Sequence, residues 1–148
     1  MNSLIIYATK TNNTPKIAEK IAQGLGCEMK KVDDVKPEQL DQYELVGFGS
    51  GIYMMKHHKD ILNLAKNLPD MNGKKCFVFS TSGKGDTSQH KKLNGILKSK
   101  GCKIIGEFGC KAADNWGPFK LVGGINKHLP TEKDYQNALE FGKKLKNI

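Results

Sequence analysis

The chain has 148 residues, 24 of them basic and 15 acidic, which leaves a formal net charge of +9. That length suffices for one domain with a core that needs no disulfide staples. No run of about 18 apolar residues is present, which argues against membrane insertion, and the opening MNSLIIYATK turns polar too soon for a secretory signal.

Ser3 to Ala8 (SLIIYA) is a short apolar run, predicted to be a buried strand. A polar loop, TKTNN, follows. Thr14 then Pro15 predict an N-cap and a proline at the first helical position. Ile17, Ala18, Ile21, Ala22 and Leu25 repeat at helical spacing, and Gly26 stops the helix. Cys27 to Val32 predicts a weak, Lys-rich edge strand. Leu45 to Gly49 predicts a third strand ending in glycines, and Ile61, Leu64, Ala65 and Leu68 a second helix. Lys75 to Ser80 (KCFVFS) predicts the fourth strand, Leu93, Ile96 and Leu97 the third helix, and Cys102 to Phe108 the fifth strand. Thr131 with Asp134 resembles a capping box, opening a last helix that carries Tyr135, Ala138, Leu139, Gly142 and Leu145.

Strand and helix thus alternate along the whole chain, which predicts a parallel sheet covered by helices on both faces. Right-handed crossovers then gather ligands at the carboxyl ends of the strands. About 22 residues, Gly109 to Pro130, separate strand five from the last helix. Loops beyond about 12–15 residues in a compact domain usually carry function. This one holds Trp116, with room for a short strand around Phe119 to Val122.

Three strand ends are rich in small polar residues. After strand one come Thr9, Lys10, Thr11, Asn12, Asn13 and Thr14, a hydroxyl-bearing loop entering a helix N-terminus. Such an end presents unpaired N–H groups and the positive pole of the macrodipole, which suits a phosphate; an ordinary polar loop capped by Thr14 is the plain alternative. After strand three come Gly49, Ser50, Gly51, Ile52 and Tyr53, and after strand four Ser80, Thr81, Ser82 and Gly83. Turn chemistry explains any one of these loops. Three on one rim suggest a flat ligand approached by backbone. The sequence has no GxxxxGK[ST], no GxGxxG after the first strand and no GxSxG, so the usual nucleotide and hydrolase motifs are absent.

The TKTNNT loop and the alternation together resemble the flavodoxin family, whose phosphate loop reads [ST]-x-[ST]-G-x-T. Thr9, Thr11 and Thr14 match it, and Asn12 stands where Gly is usual, a mild departure because Asn tolerates positive φ. VGFGSGIY, FSTSG and GEFGCKAADNWGPFKLVGGINK also resemble stretches of small flavodoxin-like proteins, so the likeness spans essentially the whole chain, 1–148. It implies one domain, a three-layer α/β sandwich with a five-stranded parallel sheet in the order 2-1-3-4-5. It further implies non-covalent FMN, its phosphate cradled by Thr9 to Thr14 and its ring flanked by Gly49 to Tyr53 and Ser80 to Gly83. Tyr53 is the first candidate for stacking on the ring. Trp116 is the second, unless it is a core anchor that pins its loop.

Charge sets this chain apart from the acidic electron carriers of that family. All its basic residues are Lys; the lack of Arg, the usual side chain for bidentate recognition, weakens a sequence-specific nucleic-acid reading, while the basic charge leaves non-specific binding open and a solvated Lys-rich surface is the plain alternative. Lys56, His57, His58 and Lys59 follow one proposed flavin loop and Lys84 another, while Lys111, Lys120 and Lys127 lie in the long loop. Positive charge favours reduced, negatively charged flavin, so the potential of its last one-electron reduction is expected to be less negative than in acidic members. A basic rim would steer acidic redox partners, ferredoxin-like proteins among them. His57 and His58, adjacent at a helix start, do not share a face, so they make a poor metal pair. Cys27, Cys76, Cys102 and Cys110 form no CxxC, and a reduced, cytoplasmic protein is expected. Cys110 is either a redox thiol or, more simply, a packed one.

Three functions fit: an FMN electron carrier shuttling electrons between redox partners; an FMN-dependent oxidoreductase acting on a quinone, NAD(P)H or a porphyrinogen, since some flavodoxin-like proteins resemble menaquinone-dependent protoporphyrinogen oxidase; or a flavin-free binding module on the same fold. The first strand ends in Ala8 and Thr9 rather than an acidic pair, which counts against a phosphoacceptor module.

Overall fold

Every residue of Ser3–Ala8 (β1) is buried, as an apolar run with no polar alternation requires. The computed structural model describes residues 2–9, 13–112 and 130–148. Its further strands are β2 (Glu28–Lys31), β3 (Leu45–Tyr53), β4 (Lys56–His57), β5 (Lys75–Ser82) and β6 (Lys103–Lys111), and its helices α1 (Asn13–Leu25), α2 (Lys59–Lys66), α3 (Lys91–Ser99) and α4 (Glu132–Leu145). Five strands form a parallel sheet in the order β2-β1-β3-β5-β6, and the two-residue β4 pairs antiparallel with β3. Renumbered without that hairpin strand, the order is the 2-1-3-4-5 expected. The Lys-rich β2 lies at an edge, where its polar side chains reach water.

Period-two alternation divides the core between two faces. Leu4, Ile6, Val46, Phe48 and Val78 pack with Ile61, Leu64, Leu93 and Leu97 of α2 and α3. Ile5, Tyr7, Phe77 and Phe79 pack on the other face with Ile17, Ile21 and Leu25 of α1 and with Ala138 and Leu145 of α4. Each such side chain contributes about 1.5–3 kcal/mol by leaving water.

Gly47 and Gly49 lie inside β3, not in a turn. A Cβ on them would come within 2.1 Å and 2.3 Å of the rings of Phe77 and Phe79. These glycines make room for aromatics of the neighbouring strand, which corrects the expectation that Gly49 opens a ligand loop. The third and fourth strands run on to Tyr53 and Ser82, and the last to Lys111. In-register pairing with neighbouring strands, invisible to local composition, carries each past its apolar run.

Helix ends follow their sequence signals with one correction. Gly26, at φ 78°, closes α1, with its N–H donating to the Ala22 carbonyl at 2.7 Å. Asp134 accepts from both the backbone N–H and the hydroxyl of Thr131, at 2.8 and 3.0 Å, and opens α4. Thr14, however, is not a cap: α1 begins at Asn13, and Thr14 is buried within its first turn. Among the described residues no helix is long and apolar enough to cross a membrane.

Candidate functional site

Strand register places the three polar segments at one level. Ala8 of β1 lies beside Ser50 of β3, Ser50 beside Ser80 of β5, and Ser80 beside Gly109 of β6. Beyond that row the chain leaves β1 through Thr9, β3 through Gly51, Ile52 and Tyr53, and β5 through Thr81, Ser82 and Gly83. The carboxyl rim of the sheet is therefore where these segments converge. Lys10, Thr11 and Asn12 lie outside the described residues, as do Trp116, Lys120, Lys127 and the strand expected around Phe119 to Val122.

Several hydroxyls assigned to this rim turn inward and tie it together. The hydroxyls of Thr14 and Thr81 hydrogen-bond at 2.9 Å in the interior, joining the first turn of α1 to the end of β5. Ser50 donates to the Gly51 carbonyl at 2.6 Å and accepts from the His58 N–H at 2.9 Å. Ser82 accepts from the Gly85 N–H at 2.8 Å and so fixes the loop after β5. The half-buried Tyr53 meets His58 edge to face, with ring centroids 5.5 Å apart. A Cβ at Gly51 would lie 2.8 Å from the Tyr53 hydroxyl, so this glycine lets the tyrosine lean over the end of β3. His58 caps α2, its Nδ1 accepting from the Asp60 N–H at 3.0 Å.

Beneath the rim a polar chain that sequence patterning did not mark runs from the buried Ser80 and His90 out to the exposed carboxylate of Glu107. His90 stands between Ser80 and Glu107: Nε2 is 2.7 Å from the Ser80 hydroxyl and Nδ1 3.0 Å from Oε1 of Glu107. Asn94 donates to the same carboxylate oxygen at 2.8 Å. The Glu107 carboxylate accepts from Nδ1–H, which leaves Nε2 to accept from the serine. Burial holds His90 below the usual histidine range, against the opposite pull of Glu107 and Asp86. His57, 5.0 Å away between ring centroids, has Nε2 2.9 Å from the Phe79 carbonyl. Its Nδ1 has no partner among the described residues, and burial pushes its pKa down to about 3. Ser80, His90 and Glu107 are connected as in a hydrolytic triad, but Ser80 and His90 are fully buried. No substrate carbonyl reaches that hydroxyl, so the chain of bonds positions the end of β5.

Only the adjacency of His57 to a predicted flavin loop hinted at this network; His90 and Glu107 are brought together by the fold. Cys110 is buried and its thiol is pushed up to about 12 by burial, which makes it a packed thiol and not a nucleophile. Lys56 and Lys84 are exposed at the rim, and Lys84 lies 3.9 Å from Asp86.

Residues 4–112 match the model of a family described as the flavodoxin domain. An uncharacterized protein of Methanocaldococcus jannaschii is 46% identical over 148 residues, covering 98% of either chain. Among solved structures, a short-chain flavodoxin associated with a bacterial microcompartment superposes with a TM-score of 0.74 at 15% identity, covering 98% of this chain and 97% of that one. A flavodoxin from the domain Archaea superposes at 0.69 and 17% identity, covering 99% and 97%. At such identities the structural likeness speaks to the fold.

Proposed function

The chain belongs to the flavodoxin family, and from that premise we propose that it binds FMN non-covalently at the carboxyl rim and carries electrons between redox proteins. The observation that carries this is the register row of Ala8, Ser50 and Ser80, which brings the three polar segments to one edge beside the N-terminus of α1. The donor set fits the cofactor. Thr9 to Thr14, Ser50 to Tyr53 and Ser80 to Gly83 contain no carboxylate, and Lys10 is their one charged side chain. Hydroxyls, backbone amides and a helix N-terminus suit a phosphate. Glycine and tyrosine at the ends of β3 and β5 suit a flat ring.

In this assignment Thr9, Lys10, Thr11, Asn12, Asn13 and Thr14 hold the phosphate. Thr14 does so through its backbone N–H in the first turn of α1, because its buried hydroxyl is already engaged by Thr81. Ser50, Gly51, Ile52 and Tyr53 border the ring on one side and Ser80, Thr81, Ser82 and Gly83 on the other; Trp116 is the second stacking candidate. FMN, when bound, supplies the one- and two-electron chemistry. The chain supplies orientation and the charge of its surroundings, and acidic redox proteins such as ferredoxin-like donors or acceptors are the partners that charge favours.

The test is direct. Purified protein should show flavin absorbance displaced from that of the free cofactor, and apoprotein should take up FMN in a calorimetric titration. A colourless protein with no heat of association overturns the proposal. Reduction by NADPH in stopped flow, with no protein partner present, would reassign it as an oxidoreductase.

A further inference from the structure

The β3–β4 hairpin turns through Met54 and Met55, both in the left-handed region at φ 51° and 68°. Two-residue hairpins favour that backbone because it matches strand twist, but Asn and Gly normally occupy it. Two linear side chains there are strained. They are also 80% and 76% exposed. A structural turn gains nothing from either property. Methionine is, however, the apolar side chain best able to reshape itself against a partner.

Between this tip and α3 lies a groove of about 580 Å³ floored by Gly95 and Ile96. A Cβ at Gly95 would meet nothing within 4 Å, so the groove is open above the helix at that point. Lys56, Lys91 and Lys92 stand at its sides, all exposed, and no carboxylate lines it. None of the three forms an ion pair among the described residues. The result is an apolar centre ringed by uncompensated positive charge, one residue beyond Tyr53.

We infer that the Met54–Met55 tip and the groove beside α3 form the docking surface for a small acidic iron–sulfur protein. Its carboxylates face Lys56, Lys91 and Lys92, and an apolar spot covers the methionines. This rests on the electron-carrier proposal, since the tip adjoins the residue assigned to the flavin ring. A second copy of the chain is a poor occupant because each would bring a charge of +9.

The experiment titrates the isotope-labelled protein, with and without FMN, with an oxidised acidic ferredoxin carrying two four-iron clusters. NMR shifts should cluster at Met54 to Lys56 and Lys91 to Ser99. Affinity should fall about tenfold or more as salt rises from roughly 20 to 200 mM. The decisive variant is the double change Met54→Asn with Met55→Gly. It relieves the strained turn, so its unfolding midpoint should rise, while ferredoxin affinity falls several-fold. Lys91→Gln with Lys92→Gln should weaken binding similarly, and Lys143→Gln with Lys144→Gln on α4 should not. Unchanged affinity in the tip variants, shifts centred elsewhere, self-association through the tip, or equal binding of a single-stranded oligonucleotide would each overturn the inference. Flavin uptake is read separately from colour, so loss of the FMN proposal and loss of the docking surface are distinguishable.

Discussion

His57 is neutral because it is buried, and that has a consequence in solution. Its folded pKa is about 3, against about 6.5 for an unfolded histidine. Below pH 6.5 the unfolded chain takes up a proton that the folded chain refuses. Stability therefore falls as pH drops from about 6.5 toward 3, by about 2 kcal/mol at pH 5 from this residue alone. His90, also lowered by burial, acts in the same direction; Asp86 and Glu107, which favour its protonated form, narrow its window. Urea unfolding at a series of pH values should show this slope, and His57→Gln, which keeps a donor for the Phe79 carbonyl, should flatten it between pH 7 and 5. An unchanged slope would mean that His57 is protonated in the folded state. At this scale the sequence was only partly legible. Thr9, Ser50, Tyr53 and Ser80 are conspicuous because hydroxyls at strand ends stand out locally. The partners of Ser80 do not, because His90 and Glu107 lie 10 and 27 positions away in the chain and meet only when β5, β6 and α3 pack.

Helices α1 and α4 meet backbone to backbone at Gly24 and Gly142. A Cβ at Gly142 would lie 2.3 Å from the Ile21 carbonyl oxygen, and one at Gly24 2.2 Å from that of Leu139. Neither neighbour is a flexible side-chain tip, so the helices must move apart to admit a methyl group. Gly142→Ala is expected to cost about 1–3 kcal/mol, and the thermal midpoint should fall by several degrees. Gly95→Ala, on the open surface of α3, should raise stability slightly, since alanine is the better helix former. Calorimetry on the two variants checks both signs. Helix spans were legible because apolar residues recur at helical spacing and because Gly26 and the Thr131–Asp134 pair mark their ends. The β3–β4 hairpin was not, because Met-Met carries none of the Asn-Gly chemistry that announces such a turn. Likewise Gly49 reads as the opening of a loop until Phe79 is seen to fill the space above it.

Alternation and handedness announce a parallel sheet covered on both faces, so the architecture of the whole molecule was the most legible level, while the order of its strands came only with the family resemblance. Charge is less simply read, because position decides what each lysine does. Lys56 is exposed at the rim with no ion pair among the described residues, whereas Lys84 lies 3.9 Å from Asp86 and that loop is nearly neutral in sum. With FMN bound, reduced flavin gains from nearby positive charge, so the last one-electron potential should be less negative than in an acidic flavodoxin. A solvent-exposed lysine about 10 Å from the ring shifts that potential by on the order of 10–20 mV. Lys56→Gln should therefore lower the potential by about that amount, and Lys56→Glu by about twice as much. Lys84→Gln, by uncovering Asp86, should lower it too, but only Lys84→Gln with Asp86→Asn should return it near the starting value. Redox titrations at low salt separate these outcomes, and added salt should shrink every difference. A potential as negative as that of acidic members, unmoved by Lys56→Glu, would mean that the lysines face bulk water and that backbone contacts to the ring set its electron affinity.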